Sequence, residues 1–367
     1  MDKRLPILIL VTLAAIFFYG RIDYSSSPFA NMDLKYYRLM ADASPSVSLE
    51  APRPFSYRLL GPYLAGLTGD RSITGFLLLT IFSSLAMVIC LYFLFVSMGI
   101  SRSSTFLALI ILVLNKHLFG ISNWNIFQVK DTLSLALVAM MFLALRHDRR
   151  IIFCVTLAAG AAAGELALLM IPVLFLYDFH TGRLPGDWKN PIIAVLPALI
   201  VFTVIRLVIP PVGGLSLFEA AIHYGGKLRY PMTWFGLLLN PFIPLTFLPL
   251  IFFRETGRFV RKNPDIALFF ILVLVSAFFG SNNERLMAPA SISFFALIAV
   301  ILDRPDMGGK MVRTMILAAG LLSSLHHAIA RFPLPERKYT IILSAGSFLV
   351  VSIVLTAREI HKRVRSS

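Results

Sequence analysis

Apolar runs of about 20 residues, the length that carries a helix across roughly 30 Å of hydrocarbon, recur along this chain with short polar links between them. They fall at 5–20, 74–97, 103–120, 131–145, 151–177, 191–209, 232–253, 265–280, 286–302, 314–330 and 340–357. Soluble domains are roughly a quarter charged. This chain of 367 residues is 14% charged and 57% hydrophobic, more apolar surface than a soluble core of that size hides. The expected class is all-α: a polytopic integral membrane protein with about 11–12 transmembrane helices or half-helices.

The net charge of +15 does not point to nucleic acid. Basic residues sit in short clusters between apolar runs, as at Arg146 to Arg150 and Arg254 to Lys262. Such clusters hold cytoplasmic loops against anionic lipid and set orientation. The partner they imply is membrane lipid. Cys90 and Cys154 both lie inside apolar runs, as buried thiols do, so neither a disulfide framework nor a metal site is expected. Met1 to Arg4 followed by apolar Leu5 to Tyr19 has the charge layout of a signal peptide. Without a clean small-residue cleavage site it is expected to remain as a first helix.

The run 151–177 contains 27 residues, one helix of about 40 Å or two short ones of about 20 Å. Gly160, Gly164 and Glu165 lie near its middle. Loop charge chooses between the two. With the N-terminus and Arg146 to Arg150 in the cytoplasm, a fold-back at Glu165 puts 13 Lys/Arg in the later inside segments and six in the later outside ones. A single crossing swaps those numbers. The fold-back is therefore expected, with both termini cytoplasmic, Glu165 on the outer side, and a long outer loop over 21–73. No internal repeat or linker divides the chain. One membrane domain over 1–367 is expected, split loosely into 1–210 and 211–367, in a bacterial cytoplasmic (inner) membrane.

The outer loop is rich in polar chemistry. Apolar or aromatic positions 34, 37 and 41 share a helical face, which predicts a short interfacial helix lying on the membrane. Asp33 stands at its first turn, as a helix cap or as a reactive carboxylate. Tyr36, Tyr37 and Tyr57 are interfacial anchors or substrate-lining side chains. Arg58 is boxed in by apolar residues, where a guanidinium meets a phosphate or snorkels to headgroups. Lys130-Asp131, after Asn125 and Gln128, marks either a membrane boundary or a polar cleft. Glu165, flanked by Gly, Ala and Leu residues, is costly in lipid unless it faces a cavity or pairs with a base such as Lys130 or an arginine. Glu284-Arg285 forms a solvated turn or brings a second guanidinium to the same phosphate. Adjacent His326 and His327 point about 100° apart on a helix and do not suit one zinc ion. No Walker loop, Rossmann fingerprint, HExxH or nucleophile elbow is present.

Together these residues resemble the GT-C superfamily of polytopic glycosyltransferases, which draw sugars from polyprenyl-phosphate donors. The match rests on Asp33 in the first outer loop, Tyr57-Arg58-Leu59-Leu60-Gly61-Pro62 before the next helix, and Lys130-Asp131. Glu165 in an apolar hairpin and Glu284-Arg285 followed by Pro289 complete it, over most of 1–290. The chain departs from the pattern in that Asp33 has no acidic neighbour and Gly164, not a base, precedes Glu165. The resemblance implies transfer of a sugar to a glycan or lipid-linked acceptor on the outer face. Asp33, Asp131 and Glu165 would be the catalytic carboxylates, and Arg58, Lys130 and Arg285 would hold the donor phosphate. Tyr36, Tyr37, Tyr57, Asn125, Gln128 and Glu284 would line the substrate. It requires no cofactor and leaves room for a divalent cation, Mg or Mn, near Asp33 and Glu165.

A transporter or flippase for a lipid-linked or anionic substrate would also use buried charges and a broken helix. No inverted repeat is visible, and the polar candidates gather on the outer side instead of the midplane. An O-antigen polymerase or ligase would carry its long outer loop late in the chain; here the longest comes first. A structural membrane subunit is the remaining alternative.

Overall fold

A computed structural model describes residues 3–19, 34–69, 72–123, 129–184, 186, 188–210, 212–280, 282–329, 349, 351–353 and 355. Every regular element among them is helical. In chain order the α-helices are α1 Arg4–Tyr19, α2 Leu34–Asp42, α3 Leu60–Gly66, α4 Ser72–Ser97, α5 Arg102–Leu114 and α6 Ile121–Asn123. Next come α7 Val129–Arg146, α8 Arg150–Ala163, α9 Met170–His180, α10 Lys189–Val208, α11 Leu217–Gly225 and α12 Pro231–Trp234. The last are α13 Leu248–Ile251, α14 Phe253–Lys262, α15 Pro264–Ser276, α16 Asn283–Leu286, α17 Ser291–Leu302 and α18 Lys310–Ile329.

Ile73–Ser97 and Lys189–Val208 are long and apolar enough to cross a membrane. The pair Phe253–Lys262 and Pro264–Phe279, bent by 103°, makes a third if it counts as one span. Arg4–Phe18, Arg102–Leu114, Arg150–Ala163 and Ala288–Leu302 are apolar but shorter. Packing runs from α4 through α7 and α8 to α10, while α1 packs on both α4 and α5, and α17 and α18 pack on α5. Leu196, Ile200, Leu207 and Val208 of α10 face outward, whereas Thr80 and Ser84 of α4 are buried. An outer surface that is apolar and an interior that accepts hydroxyls suit lipid better than water.

The long run 151–177 does fold back. Arg150, opening α8, donates from Nη1 to Asp178 Oδ2, near the end of α9, at 2.9 Å. One continuous helix would hold those residues about 40 Å apart. The reversal is a 3-10 turn, Glu165–Leu169, between α8 and α9. It presses so closely on α8 that a Cβ at Gly160 would lie 2.4 Å from the Ala167 Cβ.

Two expectations need correction. The run 232–253 is not one helix: it breaks into α12, a π-turn Phe235–Leu239, a 3-10 turn Asn240–Phe242 and α13. Pro241, Pro244 and Pro249 each remove a backbone donor, and hydropathy does not register that loss. The helix of the first loop exists as α2 but does not lie free on a membrane surface. Tyr37, Met40 and Ala41 are buried in a small core with Ala65, Phe76 and Val129, so the amphipathic face is spent on the protein itself.

Chain direction sorts the helix ends into two layers. Arg146, Arg150, Asp178 and Asp265 stand at one end, here the Arg146 rim. Arg58, Asp131, Glu165, Arg206 and Arg285 stand at the other, the Glu165 rim.

Candidate functional site

The fold-back places one carboxylate between two arginines. Arg58 Nε and Nη2 both donate to Glu165 Oε2, each at 3.4 Å. Arg206 Nη2 donates to Oε1 at 3.0 Å. The sequence brings these groups together by three local devices. A 3-10 turn, Phe55–Tyr57, delivers Arg58 just ahead of α3. The 3-10 turn after Gly164 presents Glu165, and the last turn of α10 supplies Arg206. The side chains of Arg58, Glu165 and Arg206 are 16%, 31% and 24% exposed, so the trio is accessible from its own rim but largely shielded.

Aromatic rings build the wall. The Arg206 guanidinium lies 4.7 Å from the Tyr57 ring centroid and 3.4 Å from that of Phe202, distances at which a ring face attracts a cation. Phe55 stacks on Tyr36 at 4.9 Å and meets Tyr37 edge-on at 5.6 Å. Burial works against the Arg58 charge. Glu165, Tyr37 and Asp131 together outweigh it and hold its pKa above the ordinary arginine value.

A second pair completes the rim. Arg285 Nε donates to Asp131 Oδ2 at 2.6 Å, joining the first turn of α7 to α16. Lys227 closes the adjoining loop, donating to Asn283 Oδ1 at 2.8 Å, to the Ala277 carbonyl at 3.0 Å and to the Gly280 carbonyl. Among the described residues Arg58 and Arg206 share Glu165, and Arg285 takes Asp131. The Arg58 contacts to Glu165 are longer than the usual N–H···O range of about 2.7–3.2 Å, and Tyr37 adds a side-chain hydrogen bond to the same guanidinium. Both Glu165 oxygens meet cations, a setting that repels a divalent ion. Among the described residues no three of His, Cys, Asp and Glu gather where a metal could be held.

Of the residues expected from sequence, Arg58, Asp131, Glu165 and Arg285 converge on this rim, with Tyr37 and Tyr57 beside them and Tyr36 stacked on Phe55. Asp33, Asn125 and Gln128 lie outside the described residues; α2 opens at Leu34, directly after Asp33. Lys130 and Glu284 are placed on α7 and α16 by their backbone. Arg206 and Lys227 were not anticipated. Arg206 carried a usable signal, a lone cation inside the last turn of an apolar run. Lys227 carried none beyond its place in a basic outer link.

No protein-family model, no curated protein and no solved structure matches the chain.

Proposed function

We propose that this chain is a polytopic membrane glycosyltransferase of GT-C type, moving a sugar from a polyprenyl-phosphate donor to a glycan or lipid-linked acceptor. The observation that carries the reading is the convergence of Arg58 and Arg206 on the single carboxylate of Glu165, beside the Arg285–Asp131 pair. A planar fork suits a phosphate, and two forks converging at the edge of an apolar bundle suit one attached to a lipid. The charge count along the loops supports an outward-facing Glu165 rim and cytoplasmic termini.

In this mechanism a carboxylate takes the proton of an acceptor hydroxyl as its oxygen attacks the anomeric carbon. The bond from that carbon to the phosphate oxygen breaks, and the lipid phosphate leaves with the electron pair. Asp131 is already committed to Arg285, so Asp33 is the first choice as base. Arg58, Arg206, Lys130 and Arg285 neutralise charge gathering on the phosphate, which is the larger part of the work because the leaving group is already good. Glu165 acts as a positioning residue: it keeps Arg58 and Arg206 aligned until a phosphate replaces it between them. No step calls for a metal.

A transporter of a lipid-linked anion is the second reading, favoured by the fold-back itself. Fourteen residues of α8 set the break about 20 Å from the Arg146 rim, a depth at which discontinuous helices hold substrates. The deciding experiment supplies the protein in liposomes with radiolabelled polyprenyl-phosphate sugars and a crude lipid and glycan extract. Label that moves to the extract, and fails to move in Asp33→Asn and Arg58→Gln, establishes transfer and names the sugar. Folded protein that transfers nothing, yet moves a labelled lipid phosphate between leaflets, establishes transport instead.

A further inference from the structure

The Arg146 rim holds a second basic feature that the proposed chemistry does not use. α14 meets α15 at 103°, so that when α15 stands in a bilayer α14 lies along its surface. Its residues divide among three faces. Phe259 turns into the core, Phe253 and Val260 are exposed and apolar, and Arg254, Arg258, Arg261 and Lys262 are exposed and basic. Four other arginines of this rim are spent on carboxylates. Arg146 bonds Asp265 at 3.0 Å, Arg150 bonds Asp178, Arg183 bonds Asp148 at 2.5 Å, and Arg304 bonds Glu255 and Asp306. Arg258, Arg261 and Lys262 meet no carboxylate among the described residues.

Two adjoining cavities, of about 240 and 270 Å³, open beside those cations and share Glu255 and Arg258 in their walls. The first runs between α14 and the turn from α4 to α5, with Lys262, Asn263 and Asp303 on its walls. The second adds Arg254 and Arg304. Glu255 is occupied by Arg304. Asn263 accepts from Arg146 at 3.2 Å, and Asp303 accepts from the Ser101 amide at 3.3 Å. The walls therefore offer surplus positive charge at Arg258 and Lys262 and a carboxylate at Asp303. Ile271 and Val275 of α15 are exposed and apolar as well.

We propose that this groove is a binding site for an anionic phospholipid whose headgroup carries both a phosphodiester and hydroxyls, as phosphatidylglycerol does. Arg258 and Lys262 grip the phosphodiester, Asp303 accepts from a headgroup hydroxyl, and the acyl chains run past Phe253, Ile271 and Val275. General attraction of basic loops to an anionic leaflet needs no groove and falls on every exposed cation alike. A built site differs in depending on these two cations and in distinguishing headgroups. The inference rests on the membrane half of the proposed function and is independent of the transfer chemistry.

The test is native mass spectrometry of the full chain in detergent, equilibrated with equal amounts of phosphatidylglycerol and phosphatidylcholine, after flotation with vesicles has shown that it enters bilayers. The expected retention favours phosphatidylglycerol by at least about tenfold, because two cations act on a headgroup of net negative charge. Arg258→Gln/Lys262→Gln abolishes the preference, while Arg149→Gln/Lys189→Gln, which removes two exposed cations from the same rim outside the groove, preserves it. Arg258→Lys retains most of it, showing that the charge and not the fold was lost. Equal loss in both double variants, or equal retention of the two lipids, overturns the site. Displacement by millimolar inorganic phosphate would make it a free-anion site and also overturns it. Failure to float with vesicles overturns the membrane reading and this site together; transfer activity is not read in any arm.

Discussion

The two rims use the same residue types to different ends. On the Arg146 rim the buried pairs staple helix ends: Arg146 on α7 to Asp265 on α15, and Arg150 on α8 to Asp178 on α9. Each of these guanidiniums holds a deeply buried carboxylate, Asp178 and Asp265 being only 2% exposed, while the exposed Asp148 is shared by Arg150 and Arg183. On the Glu165 rim one carboxylate serves two guanidiniums, that carboxylate is 31% exposed, and the backbone around it is broken into 3-10 and π turns. Stoichiometry, more than residue type, separates a structural ion pair from a charge site with capacity to spare. A saturated pair can only hold, while a shared carboxylate can be exchanged for another anion.

The sharpest way to break that contrast is to remove one partner from each side. Asp265→Ala leaves Arg146 as an uncompensated buried charge, which costs about 3–5 kcal/mol of stability. Unfolding in denaturing detergent or by heat should register that loss, and any activity should fall only with the folded fraction. Arg58→Gln should do the reverse. Its partner Glu165 keeps Arg206, so the fold is nearly unchanged, whereas turnover falls by about 10²–10³ if Arg58 stabilises the leaving phosphate. A large stability loss at Arg58 with proportionate activity would place both rims in the structural class.

The fold-back that creates the Glu165 rim can be challenged directly. Gly160→Ala sets a methyl 2.4 Å from the Ala167 Cβ, and overpacking of this kind costs about 1–3 kcal/mol. The strain falls on the turn that aims Glu165, so transfer should drop more than global stability does. Thermal unfolding with the intact Arg146–Asp265 staple as background provides the comparison.

Much of this was legible in the chain, for reasons that differ by residue. The apolar runs read well because burial in lipid or core demands them whatever the partner. The hairpin at Glu165 read well because 27 residues allow one helix or two, and the distribution of Lys and Arg over the later loops favoured two. The run 232–253 misled because hydropathy sums side chains, while its three prolines act on the backbone. The ion pairs were beyond reach of pattern. Glu165 finds its partners 107 and 41 positions away, and Asp131 finds Arg285 at 154, so only the assembled fold could say which arginine answers which acid. Arg206 was overlooked because a cation in the last turn of an apolar run also marks an ordinary membrane boundary.

The smallest effect tests the segment that follows α10 beside the Glu165 rim, whose entry into α11 is held by local bonds. Arg53 reaches from the first loop to the Gly213 and Gly214 carbonyls at 3.0 and 3.3 Å, and α11 follows behind a capping box. In that box the Ser216 amide donates to Glu219 Oε2 at 2.7 Å, and the Glu219 amide donates to Ser216 Oγ at 3.2 Å. The Ser216 amide first, and then the Ser216 hydroxyl, hold the Glu219 carboxyl below its ordinary pKa, with Arg53 adding a little in the same direction. A carboxylate with a depressed folded pKa lends stability that is full above the ordinary glutamate value and is lost as pH falls through the folded one. Amide exchange, corrected for its intrinsic pH dependence, should therefore show α11 losing protection in mild acid. In Glu219→Gln, where the acceptor remains but cannot titrate, that acid step should vanish. If α11 instead keeps its protection in acid, tertiary packing holds it, and this segment is as firmly built as the staples of the Arg146 rim.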